Sequence, residues 1–213
     1  MIRNKMHNLS LYLLAFLCLA GMAACDQRSE SGSNQVTVNS GAAADIEKNV
    51  ALGLDKSPLD LSYYPVEYPK LKMSKTATEP LLARILYSRP QKDGRVIFGN
   101  VLKYGERWRL GANEASEIEF FKDVSINNQK IPKGRYILYC IPYENKWQLI
   151  LNDDLYTWGL KIDSSKDHYK FEIPISKTNY PFEVFTMEFE KAPKGMNLVM
   201  AWDSVRAVLP INY

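Results

Sequence analysis

Arg89, Arg95 and Arg109 fall in a stretch that also carries Tyr104, Trp108, Asn113 and Glu114. A planar guanidinium can grip a carboxylate or a phosphate with two parallel N–H donors. Tyr104 and Trp108 bring flat faces on which a sugar ring or a guanidinium can stack. Asn113 both donates and accepts, and Glu114 accepts. Such a set could build a polar cleft for a glycan or an anionic small molecule. The same residues could also serve the fold alone, with Arg95 or Arg109 paired to Glu114, Trp108 plugging the end of a sandwich, and the glycines making turns.

Other chemistries find less support. Glycoside cleavage usually needs two carboxylates, for which Glu114 and Asp153 or Asp154 are the candidates. A Ser-His-Asp triad would have to use His168, which reads as an exposed strand start, and no Gly-x-Ser-x-Gly elbow is present. One such histidine and a cysteine in an apolar run give no zinc spacing, so neither a metal nor a cofactor is expected. An Asp-rich calcium site at Asn152-Asp153-Asp154 would need more than adjacent acids in a turn, which usually cap or solvate it. The balance favours a binding or envelope-associated domain over an enzyme, with a carbohydrate-active hydrolase and a structural or assembly role as the alternatives. In the assembly role, exposed strand edges would contact an envelope protein.

The amino-terminal residues speak to location. Arg3 and Lys5 precede an apolar run from Leu9 to Ala20, followed by Gly21-Met22-Ala23-Ala24 and Cys25. A helix needs roughly 20 residues to cross hydrocarbon, so this run is a targeting segment and not a span. The Ala-Ala-Cys sequence resembles the lipobox of bacterial lipoproteins, which implies cleavage after residue 24 and lipid on Cys25. The expected location is the cell envelope, on the periplasmic side of either membrane or at the cell surface. Asp26 resembles a retention signal whose rule is not shared by all bacteria. Removing Arg3 and Lys5 leaves 27 − 2 = 25 basic against 24 acidic residues. Basic residues interspersed with acidic ones argue against a nucleic-acid partner. With Cys18 removed and Cys25 lipidated, Cys140 is left alone in the apolar run Tyr136–Ile141, as a buried thiol.

Residues 25–56 read as a flexible tether rich in Ser, Gly, Asn and Ala, with one short helix expected over Asp45–Leu54, where Ile46, Val50 and Leu54 recur every four residues. Residues 57–80 hold Pro58, Pro65, Pro69 and Pro80 among tyrosines, which predicts an extended strap and excludes a central strand. From residue 81 to 213 the apolar period is two. Strands are expected over Leu81–Ser88, Val96–Phe98, Glu117–Lys122, Arg135–Ile141, Lys146–Asn152, Tyr169–Ile175, Phe185–Phe189, Asn197–Trp202 and Val205–Leu209. Asn127-Asn128 and Tyr143-Glu144-Asn145 supply hairpin turns. The expected fold is an all-β antiparallel sandwich in one domain, with jelly-roll order among the arrangements it admits.

The runs Ser88-Arg89-Pro90, Gly94-Arg95, Ile97-Phe98-Gly99, Tyr104-Gly105 and Trp108-Arg109-Leu110-Gly111-Ala112-Asn113-Glu114 resemble the signature of a bacterial family, domain of unknown function 2911. The likeness continues through Gly134-Arg135-Tyr136, Trp147 to Asn152, and Trp202-Asp203, and so covers nearly all of Leu81 to Ile211. It departs at Asp93 and Leu110, where the family commonly has Lys and Thr. The resemblance implies a secreted sandwich-like β-domain and brings no established activity.

Overall fold

A computed structural model describes residues 55–213. The leader, Cys25, nearly all of the tether and the helix expected at Asp45–Leu54 lie outside the described residues. Nine strands follow in chain order: β1 (Leu59–Tyr64), β2 (Ala83–Ser88), β3 (Glu117–Phe120), β4 (Val124–Ile126), β5 (Gln129–Ile131), β6 (Gly134–Pro142), β7 (Lys146–Asn152), β8 (Asp167–Ala192) and β9 (Gly195–Asn212). One short helix, α1 (Tyr68–Met73), lies between β1 and β2, and a 3₁₀ turn covers Ser164–Lys166. Among the described residues no helix is long and apolar enough to cross a membrane.

The strands are antiparallel and hydrogen-bonded in the order β1-β2-β3-β6-β7-β8-β9-β4-β5. β8 explains how one sheet forms a sandwich. Its first part, Asp167 to Pro174, pairs with β7, and from Ile175 onward it pairs with β9. The two halves share one core. Ile85, Ile118, Leu138, Leu149 and Phe171 come from one half, and Phe185, Met187, Leu198, Trp202 and Leu209 from the other. Alternation sets the faces: Phe171 and Ile173 are buried while Lys170, Glu172 and Pro174 are exposed.

The antiparallel β expectation holds, and several elements differ from the pattern in detail. Tyr169–Ile175 and Phe185–Phe189 are parts of the single strand β8, and Asn197–Trp202 and Val205–Leu209 are parts of β9. Val96–Phe98 is not a strand but a turn, whose Ile97 is buried and whose Phe98 packs edge-on against Trp108 at 6.0 Å. The strap is not uniformly extended. Its first part is the edge strand β1, a position compatible with Pro58 and Pro65 at its ends, and Pro69 sits in the first turn of α1, where no intrahelical N–H is needed. The Asn127-Asn128 hairpin forms as expected, with φ of 48° and 63° at its two central residues.

Candidate functional site

The β2–β3 connection, residues 89–116, carries most of the singled-out residues, and its path explains where they point. Trp108 N–H donates to the Cys140 carbonyl at 2.7 Å, and Cys140 N–H returns a bond to the Trp108 carbonyl at 2.8 Å. The Arg107-Trp108-Arg109 run therefore lies along β6 like one more rung of the sheet. Extended backbone sends successive side chains to opposite sides. Trp108 enters the core, where it packs against Phe98, Trp147, Phe185 and Trp202 and donates its indole N–H to the Gly111 carbonyl. Arg107 and Arg109 emerge on the other side.

Beyond Arg109 the chain turns sharply, with φ of 54° at Leu110 and 155° at Gly111. A Cβ on Gly111 would stand 3.0 Å from the Ser88 carbonyl oxygen, so glycine is required by both conformation and space. The earlier part of the connection is tied to β9 by Asp203, which accepts from Ile97 N–H at 3.2 Å.

A second connection, residues 153–166 between β7 and β8, folds over the outer face of β6 and β7. Ile162 packs there with Ala115, Ile137, Tyr139 and Ile150, and Leu155 lies against them, in a small core separate from the main one. This packing places two backbone carbonyls beside the arginines. Arg107 Nη1 donates to the Ile162 carbonyl at 3.2 Å, and Arg109 Nη1 to the Trp158 carbonyl at 3.2 Å. Arg109 also lies 5.9 Å from the Trp158 ring centre. Gly159 makes the close approach possible: it has φ of 81°, and a Cβ there would meet the Arg109 Cβ at 2.9 Å.

Between the two connections lies a pocket of about 380 Å³. Arg95, Arg107 and Arg109 line it, with Trp108, Trp202, Val101, Leu102, Leu160 and Ile162 as apolar wall and floor, and Ser57, Pro90, Gly111, Ala112 and Gly159 completing it. No carboxylate is among the lining residues. Arg95 is oriented by donating Nε to the Lys92 carbonyl at 2.9 Å and Nη2 to the Gln91 carbonyl. Each guanidinium thus spends one or two of its five donors on backbone and keeps the rest.

Arg84, Arg89, Arg135 and Arg206 each stand within 2.7 to 3.6 Å of a carboxylate. Arg95, Arg107 and Arg109 have no ion pair with another described residue. The three arginines without an ion pair among the described residues are the three that line the pocket. Burial pushes the Arg109 guanidinium below its ordinary value, partly opposed by the field of Glu114, so an anion in the pocket would relieve an existing desolvation cost. Trp202, only 3% exposed, has an indole N–H without an acceptor, which adds one more unspent donor to a pocket-lining residue.

The family model described as protein of unknown function (DUF2911) matches residues 69–211. The chain belongs to this family. The DUF2911 match includes every pocket-lining residue except Ser57. No curated protein and no solved structure gives a match.

The structure brings together Arg95, Trp108 and Arg109 and leaves the other candidates elsewhere. Arg89 pairs with Asp60 at 3.0 Å and donates to Thr186 at 3.1 Å. Tyr104 is 37% exposed and does not line the pocket. Asn113 donates to the Ser57 carbonyl at 3.3 Å and to Asp55, fastening the chain ahead of β1. Glu114 is exposed, and no ion pair joins it to Arg95 or Arg109. Of the carboxylates singled out for hydrolysis, Asp153 contacts His168 at 2.6 Å and Asp154 contacts Lys166 at 2.7 Å, and neither these nor Glu114 line the pocket. Cys140 is fully buried, and burial pushes its thiol well up. Sequence reasoning passed over Arg107 and the 158–162 loop. The signal for Arg107 was the alternation Arg-Trp-Arg around a core tryptophan.

Proposed function

We propose that this chain is an exported, lipid-anchored binding domain whose pocket takes a small anion carrying an apolar or aromatic body. The observation that carries the reading is the coincidence of the three arginines lacking a carboxylate partner with the three lining one apolar-walled pocket. Guanidiniums without a carboxylate partner attract a carboxylate, phosphate or sulfonate, and their planar fork suits planar or tetrahedral oxyanions. The tryptophan and aliphatic walls take the ligand's body, as ligand pockets of 300–1,000 Å³ generally do. A neutral glycan would use the walls and leave three charges unanswered. The Ala-Ala-Cys25 sequence supports the anchor.

The pocket reading is tested by thermal denaturation against matched pairs of aryl and alkyl carboxylates, phosphates and sulfonates and their neutral amides or alcohols. Stabilisation by the anionic members alone is expected, and it falls as salt is raised. Equal stabilisation by the neutral members would overturn the reading. The anchor is tested by labelled fatty acid, which should enter the wild-type chain and not Cys25→Ala.

A further inference from the structure

Two large side chains stand exposed at the pocket's rim. Trp158 and Leu160 are 51% and 75% exposed, whereas Tyr156, 80% exposed, turns away to Arg135, which donates to its hydroxyl at 3.1 Å. Leu160 also lines the pocket, and the Trp158 carbonyl and ring are both held against Arg109. The apolar rim and the cationic pocket are therefore one unit. Lys161, exposed, adds a further positive charge at the rim.

Tryptophan and tyrosine favour the boundary between water and hydrocarbon, where the ring is half solvated. Exposed apolar residues beside cations without counter-charges form the combination that binds anionic lipid surfaces. The exposed aromatic pair Tyr180 and Phe182 on β8 has one cation without an ion pair among the described residues, Lys177, while its arginine, Arg206, faces Glu190 at 3.6 Å; the rim at Trp158 adjoins three arginines without one. A protein partner could cover an apolar rim, but it would not by its class supply the dense negative charge that three unpaired guanidiniums call for.

We propose that the rim formed by Trp158 and Leu160 seats on an anionic lipid bilayer, with these two side chains in the interfacial layer and a lipid phosphate in the arginine pocket. The proposal rests on the reading of the pocket as an anion site. The anchor proposed at Cys25 suits it, since a lipid on that residue would keep the domain near the membrane.

The tryptophans provide the test. Trp108, Trp147 and Trp202 are at most 5% exposed, so contact quenching by lipid reads Trp158. The full chain is reconstituted in phosphatidylcholine vesicles with brominated acyl chains, with and without phosphatidylglycerol. Expected are quenching and a blue shift of emission severalfold larger with phosphatidylglycerol. Both should be lost in Trp158→Phe and reduced in Arg107→Ala. Emission unchanged by bromination in phosphatidylglycerol vesicles would overturn the proposal, as would crosslinks from the rim to a protein in place of lipid. The two readings fail separately. If Trp158 is not quenched while aryl anions still stabilise the protein, the membrane docking falls and the pocket remains. If anions do not bind, the pocket reading itself falls.

Discussion

On the surface of the sheet, Arg84 of β2 and Arg135 of β6 stand in register on either side of Glu119 of β3. Arg84 Nε meets Glu119 at 2.7 Å, and Arg135 reaches Glu117 at 3.6 Å and Glu119 at 3.9 Å. Around the pocket, Arg95, Arg107 and Arg109 donate, among the described residues, to backbone carbonyls alone. Arg84 and Arg135 are carried by strands, and Arg107 and Arg109 flank a residue bridged to β6. The two sets differ in the counter-charge. The cross-strand set is closed, and its ion pairs contribute the small stabilisation typical of partly exposed pairs. The pocket set is open, and the desolvation of Arg109 within it is relieved when an anion arrives.

The contrast can be broken most forcefully at the tryptophan between the two pocket arginines. Trp108→Ala removes the centre of the aromatic packing with Trp147, Phe185 and Trp202, and is expected to cost about 3–5 kcal/mol of stability by chemical denaturation. A loss below about 1 kcal/mol would mean that the wall of the pocket is not part of the core. Gly159→Ala is the next largest. Its Cβ would collide with Ala115 and Arg109 at a positive φ, and a loss of about 1–2 kcal/mol is expected, together with weaker anion binding as the loop shifts. Unchanged stability would show that the loop is not held where it is described.

A third expectation concerns a closed polar cluster, the opposite of the open pocket. Asp167 is pulled up by burial, but hydrogen bonds from Asn152, Tyr139 and Lys170 outweigh this and hold it below the usual carboxylate range. Because the folded value is depressed, the cluster's contribution is fully present above the unfolded value of ~3.9 and is lost as pH falls through the lower folded value. Acid denaturation of Asp167→Asn should therefore be shallower than that of wild type. Identical acid profiles would remove Asp167 from the account.

Much of the fold was legible because alternation is local. β7 has the bounds that its alternation marks, Lys146–Asn152, and the Asn127-Asn128 turn follows from the tolerance of asparagine for positive φ. β8 read as two strands because its register breaks between Lys177 and Thr186, where the pairing shifts and the apolar phase is interrupted. Val96–Phe98 looked like a strand because buried turn residues are apolar too, and only tertiary contact with Trp108 and Asp203 distinguishes them. Of the candidate site, Arg95, Trp108 and Arg109 were found and Arg107 was not. Choosing it requires knowing that Trp108 pairs with Cys140, a contact between distant residues that no local pattern encodes. The 158–162 wall was hidden for the same reason, since its position depends on Ile162 packing across β6.

The difference between open and closed arginines is tested most directly by titrating anilinonaphthalene sulfonate, an aromatic anion, into wild type, Arg107→Ala and Arg135→Ala. Losing one charge-assisted contact in the pocket should weaken binding by roughly tenfold or more in Arg107→Ala with little change in stability. Arg135→Ala should bind as wild type does and lose about 0.5–1 kcal/mol of stability. Equal binding by all three proteins would contradict the account.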